Sequence, residues 1–555
     1  MRSGLVKWIF VLLPAIVRQL DAKELADLVI QHANVLTVDG QQPHAQSFAV
    51  REGRFVAVGA DEAVSPLIGA GTTVLDLKGK TVVPGFVDAH SHPAPVYPES
   101  SRWASVDCRP DKVHTIADLI AALKRKADKA EPGEWILGSR YQTSKLGREP
   151  TRWDLDQAST THPIIIGHCS GHQSVCNSLA LELAKVTPQT PNPAGGEFAR
   201  DDQGRLNGLL KEGAASMVRG AMGNRPAPPD AELIAAYRAG YREYLSRGVT
   251  SVGVAGALPG FGRLLERART DELPLRLNLM LSQSAIDAAI KRKQEGNLGD
   301  ANVRYGSIKL FHGGSVSAHT CWVSQPYAGR PDDFGLRPAR SQKDLNELIL
   351  KVHRAGLQAC VHCNGDREIA MVLDAIENAL KEVPRKDHRH RLEHCAVLTP
   401  ELVRRIKELE VVAVPHSYIW ELGDTMDDFG ESRWEWIHAT HSLLAAGIPV
   451  AGHSDSPVST ADPLLHMQGM VTRTSAEGKV YAASQRVTAE EALRIWTLGG
   501  AYASFEDHLK GSIVPGKLAD FVVLGADPTA VDPHTIKDIP REMTFVGGRK
   551  VYQKN

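Results

Sequence analysis

The feature that most restricts this chain is a long alternation. Short β-like runs separated by helical stretches recur from residue 86 to residue 454. Nine runs qualify, at 86–92, 163–168, 249–254, 275–281, 306–311, 357–362, 389–394, 411–415 and 448–454. Strand and helix in alternation build a parallel sheet, because each helix carries the chain back to start the next strand. Eight such units close into a (β/α)8 barrel. Spacing accounts for the ninth. The stretch from Pro93 to about Pro229 is too long for one connection and contains the 163–168 run. That run is therefore expected in an inserted subdomain, about 93–229, leaving eight strands for the barrel. Helix starts are also legible. Thr488-Ala489-Glu490-Glu491 reads as a capping box, and Thr399-Pro400 as an N-cap followed by proline in the first turn.

The flanks have a different texture. Asp27-Leu28-Val29-Ile30, Asn34-Val35-Leu36-Thr37, Arg54-Phe55-Val56-Ala57-Val58 and Thr73-Val74-Leu75-Asp76-Leu77 are short β-like runs broken by Gly and Asp. Asp520-Phe521-Val522-Val523-Leu524, Met543-Thr544-Phe545-Val546 and Lys550-Val551-Tyr552 repeat the style at the other end. Neither end can bury a core alone, so the two are expected to pair into one composite β-sandwich. The expected organisation of the 555 residues is a half-sandwich at 23–85, a barrel at 86–505 and the second half-sandwich at 506–555. The overall class is α/β, a distorted (β/α)8 barrel with that sandwich attached.

Composition narrows the function. Hydrophobic residues make up 43%, charged residues 23%, and the net charge is −1. This is ordinary for a globular protein and leaves no basic footprint for nucleic acid or anionic lipid. Arg2 and Lys7 followed by the apolar run Trp8–Val17 and by Gln19-Leu20-Asp21-Ala22 read as a signal peptide over 1–22, the run being too short to span a bilayer. Export from the cytoplasm without a stable membrane anchor is the expectation, a cytoplasmic protein with an apolar tail the alternative. Seven cysteines, scattered from Cys108 to Cys395, do not form a disulfide framework. Cys360 and Cys363 would point to opposite faces of a strand and read as buried thiols.

The chemistry gathers at strand ends. In Phe86-Val87-Asp88-Ala89-His90-Ser91-His92, alternate side chains share a face, so His90 and His92 aim together into the mouth of a barrel, where active sites of this architecture sit. Two imidazoles so placed make half of a zinc site. Cys360-Val361-His362 and Leu392-Glu393-His394 end later runs, and His453-Ser454-Asp455 ends the last. Lys309 lies inside Ser307-Ile308-Lys309-Leu310-Phe311, where a bare ammonium would be costly. Each residue alone reads as structural; together, at the strand ends of one barrel, they read as a site for one or two divalent metals, zinc in the first place. No G-x-S-x-G elbow is present. Gly511 to Leu518 only imitates a phosphate loop, since it lacks the final Ser/Thr and leads into a strand.

At this point the chain resembles a known family. Val83-Pro84-Gly85-Phe86-Val87-Asp88-Ala89-His90-Ser91-His92 resembles the opening signature of the amidohydrolase superfamily. Ser170-Gly171-His172 with Asn177-Ser178-Leu179-Ala180-Leu181, Ile308-Lys309-Leu310-Phe311, Val361-His362-Cys363-Asn364-Gly365-Asp366 and Arg391-Leu392-Glu393-His394 resemble its branch of N-substituted formamide deformylase and YtcJ-like proteins. So does Gly511-Ser512 through Pro515-Gly516-Lys517-Leu518-Ala519-Asp520. The resemblance implies that His90, His92, His362, His394 and Asp455 are metal ligands. It also implies that Lys309 is the lysine which many members carry as a metal-bridging carbamate. Two departures stand out. Gly313 occupies the place of the branch's Asp in Asp-Gly-Ser, and His453 that of Gly in Gly-Ser-Asp. The expected function is hydrolysis of a non-peptide C–N bond in a small molecule, with Asp455 as proton acceptor and His172, His312 and His453 as substrate contacts. Deamination, opening of a cyclic amide or lactone, and a non-catalytic regulatory role are the alternatives. A homo-oligomer is compatible with the sequence.

Overall fold

The computed structural model describes residues 25–223 and 226–554, and the segment read as a signal peptide lies outside the described residues. Seven parallel strands form the central sheet: β1 (Phe86–Ser91), β2 (Val249–Ala257), β3 (Arg276–Ser282), β4 (Val303–Phe311), β5 (Gln358–Cys363), β6 (Arg391–His394) and β7 (Val412–Pro415). The eighth run, 448–454, is the exception. It forms no ladder and only a bridge between Val450 and Ala413. It nevertheless closes the ring. Ala451 N–H donates to Ala413 O (3.0 Å) on one side, while Ala89 N–H donates to Gly452 O (3.0 Å) and Asp455 N–H to His90 O (3.0 Å) on the other. The result is a distorted (β/α)8 barrel.

Alternation sorts the side chains. Ile308 and Leu310 of β4, and Ala359, Val361 and Cys363 of β5, face outward into the large core shared with the helices. The other face of each strand, with Lys309, Cys360 and His362, turns inward. Cys360 packs in the barrel interior against Ala255 and Met280, so the two cysteines of the C-x-x-C do lie on opposite faces. All seven thiols are buried and free. The caps read from sequence are formed. Thr399 Oγ1 accepts from Leu402 N–H and Thr488 Oγ1 from Glu491 N–H.

Between β1 and β2 the chain builds a separate six-stranded sheet, from Val106–Asp107 to Leu206–Lys211, which includes the 163–168 run as Ile164–His168. The ends of the chain meet in two further sheets. Four strands from residues 28 to 76 form one. In the other, Phe521–Leu524 runs antiparallel to Thr81–Pro84, with Val522 opposite Val83. Phe48, Phe55, Phe521 and Phe545 join the two layers, Phe48 meeting Phe521 edge-on at 4.9 Å and Phe521 stacking on Phe545 at 4.3 Å. Among the described residues no helix is long and apolar enough to cross a membrane.

Candidate metal centre at the barrel mouth

The C-terminal ends of β1, β4, β5 and β6 and the closing segment deliver His90, His92, Lys309, His362, His394 and Asp455 to one place. Asp455 carboxylate oxygens lie 3.5 Å from His90 Nε2, 3.3 Å from His92 Nε2 and 3.9 Å from His394 Nδ1. Lys309 Nζ is 3.4 Å from His90 Nε2. The rings of His362 and His394 sit 4.6 Å apart. Strict alternation would send Glu393 and His394 to opposite faces. His394 instead adopts φ +72°, which ends β6 and turns both side chains inward. Asp455 also takes a left-handed φ, +54°. Such backbone is tolerated best by Asp and Asn and clusters at functional sites.

The surroundings decide which nitrogens face the mouth. Glu393 contacts His90 Nδ1, directing the lone pair of Nε2 toward Asp455. Arg391 holds that glutamate through two bonds of 2.7 and 2.8 Å, and the pair is fully buried. His362 Nε2 donates to Gly314 O at 2.9 Å, which leaves Nδ1 with the lone pair. Asp88 clamps the closing segment, accepting from Ser454 N–H (3.0 Å) and Ser454 Oγ (2.5 Å). Burial raises the Asp88 carboxyl to about 7 against these hydrogen bonds.

Electrostatics favour ligation. Burial pushes His90, His362 and His394 well below the ordinary imidazole value, so they are neutral and keep a lone pair. Burial also lowers Lys309, to about 8, although Glu393 and Asp455 oppose it. Asp455 goes the other way. Burial alone would raise it, but His92, with His453 and Lys309, holds it below the usual carboxylate range and therefore ionised. His394 Nδ1 and Asp455 Oδ1 are buried without a hydrogen-bond partner. Ligand atoms of His90, His394 and Asp455 lie within 4.8 Å of one another. A neutral-imidazole and carboxylate set with orphaned lone pairs fits a divalent metal.

The three expected substrate contacts fall differently. His172 comes from the inserted sheet and stacks on His362 at 4.8 Å. Its Nδ1 pairs with Glu212 at 3.0 Å, and Glu212 accepts from Thr320 Oγ1 at 2.6 Å. Burial lowers His172, but Glu212 outweighs it and the net shift is upward. His453 lies among the metal-facing rings, 5.4 Å from His90 and 5.2 Å from His394. His312 is buried, with neither ring nitrogen partnered among the described residues.

Several residues at the mouth escaped the sequence reading. Glu393 and Arg391 had a signal, an i, i+2 charge pair inside an apolar strand. Glu368 had only an indirect one. Its carboxylate accepts four backbone N–H groups, from Gly314 (3.0 Å), Trp322 (2.6 Å), Asn364 (2.8 Å) and Gly365 (2.9 Å), tying the loops after β4 and β5 together. Gly313 has φ +114°, and a Cβ there would lie 2.0 Å from the Glu368 carboxyl carbon. The departure from Asp at 313 thus has a steric basis, since a carboxylate from the helix after β5 (Asp366–Glu382) already fills that space.

The fold and this mouth define a barrel hydrolase. A model of the amidohydrolase family matches residues 73–552, and the chain belongs to that family. N-substituted formamide deformylase of Arthrobacter pascens is 30% identical over 550 residues, covering 96% of this chain and 99% of that protein. YtcJ of Bacillus subtilis is 27% identical over 538 residues, covering 94% and 98%. Among solved structures, an uncharacterized metal-dependent hydrolase from Pyrococcus horikoshii superposes with TM-score 0.69 at 24% identity, covering 91% and 99%, a likeness of fold.

Proposed function

We propose that the chain hydrolyses the C–N bond of a small N-acyl or N-formyl amide, with water activated at a zinc centre held by His90, His92 and Asp455. The observation that carries this reading is the convergence of these ligands, with His394 and Lys309, on one buried and ionised carboxylate. When bound, a divalent ion supplies Lewis acidity, polarising the amide carbonyl and making water nucleophilic near neutral pH. The protein does the rest. Asp455 accepts the proton of the attacking water and returns it to the leaving nitrogen. Glu393 keeps His90 in one tautomer. Phe311, half exposed on the rim with its ring 5.6 Å from His362, offers an apolar wall for the acyl or amine substituent. The deformylase relative supports a formamide as the first substrate to try.

A panel of N-formyl, N-acetyl and longer N-acyl amines, with adenine, cyclic imides and lactones as counter-substrates, tests the reading. Release of free amine from the N-acyl set is expected. Turnover confined to the counter-substrates would overturn it. Lys309 is read as a carbamate, which its lowered pKa and burial favour, because only the neutral amine takes up carbon dioxide. Lys309→Ala should lose at least about 10-fold in activity and regain part of it with added formate or acetate. A fully active Ala variant, or an unmodified lysine in native mass spectra, would remove the carbamate from the scheme.

A further inference from the structure

The inserted sheet puts a histidine–glutamate pair over the mouth. His172, just ahead of the strand Gln173–Cys176, stacks on His362 at 4.8 Å with the ring planes 28° apart. Its Nδ1–H donates to both carboxylate oxygens of Glu212, each at 3.0 Å. The backbone repeats the pairing, since Glu212 N–H donates to His172 O at 2.7 Å. Glu212 is held from the barrel side as well. Thr320 Oγ1 donates to its Oε1 at 2.6 Å, and Thr320, fully buried in the loop after β4, accepts from Ser315 N–H at 2.9 Å. That loop is the one Glu368 ties down. Glu212 adopts φ +51° and ψ −124°, a backbone that glycine enters easily and other residues avoid. A carboxylate kept at a strained position where glycine would fit points to a side chain that the site uses.

The arrangement fixes which ring atom is left for a ligand. A carboxylate only accepts, so in the neutral ring Nδ1 carries the proton and Nε2 presents its lone pair. Nε2 has no partner among the described residues, and it lies on the ring edge opposite the Glu212–Thr320 rim. It therefore turns across the mouth, beside the metal-facing rings. The ring is not sealed off, keeping 14% of its side-chain surface exposed. A secondary amide brings two polar groups to such a mouth. Its carbonyl oxygen suits a Lewis acid, while its N–H is a donor that needs an acceptor. Resting on the amide reading above, we propose that His172 Nε2 receives the N–H of the bond to be cleaved, with Glu212 as its positioning residue. The consequence is selectivity for secondary over tertiary amides. A tertiary amide has no N–H and leaves the buried pair unmatched.

The test uses full-length, zinc-loaded protein and two matched substrates, an N-alkylformamide and its N-methyl tertiary analogue. Wild type should cleave the secondary amide with kcat/KM at least about 10-fold above the tertiary one. Glu212→Gly removes the carboxylate and relieves the backbone, so the variant should fold. His172→Phe keeps a ring on His362 and fills about the same space. In both, kcat/KM for the secondary amide should fall by at least about 10-fold, and the preference should shrink toward one. Circular dichroism and metal analysis accompany the kinetics. A preference that survives in both variants would overturn the proposal, showing that bulk on the nitrogen is what the mouth rejects. An equal fall for both substrates, or equal cleavage of the two by wild type, would overturn it as well. Wild type that cleaves no amide at all would instead overturn the reading beneath it, so the wild-type assay tells the two failures apart.

Discussion

Asp455→Asn should lower kcat by about 10²–10⁴ while retaining most of the bound metal, the range expected when a positioned acid–base group is removed. Asn keeps one coordinating oxygen and accepts the left-handed backbone, φ +54°, that this position requires. It cannot take a proton from water. KM should change little if substrate binds through the rim and the metal. Metal analysis must accompany the kinetics, because a variant that lost its ion would be equally inactive. An Asn variant with full metal and near-normal kcat would move the proton-accepting role to another group, with His453 the first to examine.

The second large effect is on stability. Asp520, just before Phe521–Leu524, meets Arg276 at the start of β3 through bonds of 2.7 and 2.9 Å, both side chains buried. Its carboxylate also accepts from Gly547 N–H at 2.8 Å. Removing the carboxylate strands a guanidinium in the interface between barrel and sandwich. Asp520→Ala should therefore cost about 3–5 kcal/mol, whereas a paired Arg276→Met, Asp520→Leu variant should recover much of it. Denaturant midpoints followed by circular dichroism check both, and a loss below about 1 kcal/mol in the single variant would show that the pair is dispensable. Burial alone would raise the Asp520 carboxyl, but Arg276 holds it below its ordinary value near 3.8. Its contribution is thus complete above about pH 4 and fades as acid drives the pH down through the folded pKa.

Much of this was legible in the sequence because two periodicities carry it. Period-two strands set against helices announced the parallel barrel, and the strand ends at 90, 92, 362 and 394 named residues that the fold brings together. The eighth strand was legible as a run but not as a seam. Its hydrogen bonds go to Ala413, Ala89 and His90 instead of to a ladder, and nothing in the composition of 448–454 distinguishes the two. The clustering of His416 with His394 and His453 was not legible either. His416 stands alone in its run, and only the closed ring brings β7 against the last segment. Glu368 acts through four backbone amides, a role that leaves no mark on residue type. Gly313 marked its place only as an unexplained absence.

The pairing of Thr81–Pro84 with Phe521–Leu524 also has a consequence for synthesis. Roughly 440 residues separate the partners. At about 5–20 residues per second the first sheet would wait on the order of 20–90 s for its missing neighbour. Throughout that interval Val82 and Val83, fully buried in the finished molecule, have an open edge beside them. The nascent barrel must therefore be assembled next to an unfinished apolar sheet. The segment from Phe521 to Leu524 acts as a latch that supplies the missing edge partner. A ribosome that stalls before Phe521 would release a barrel with its N-terminal flank still unsealed.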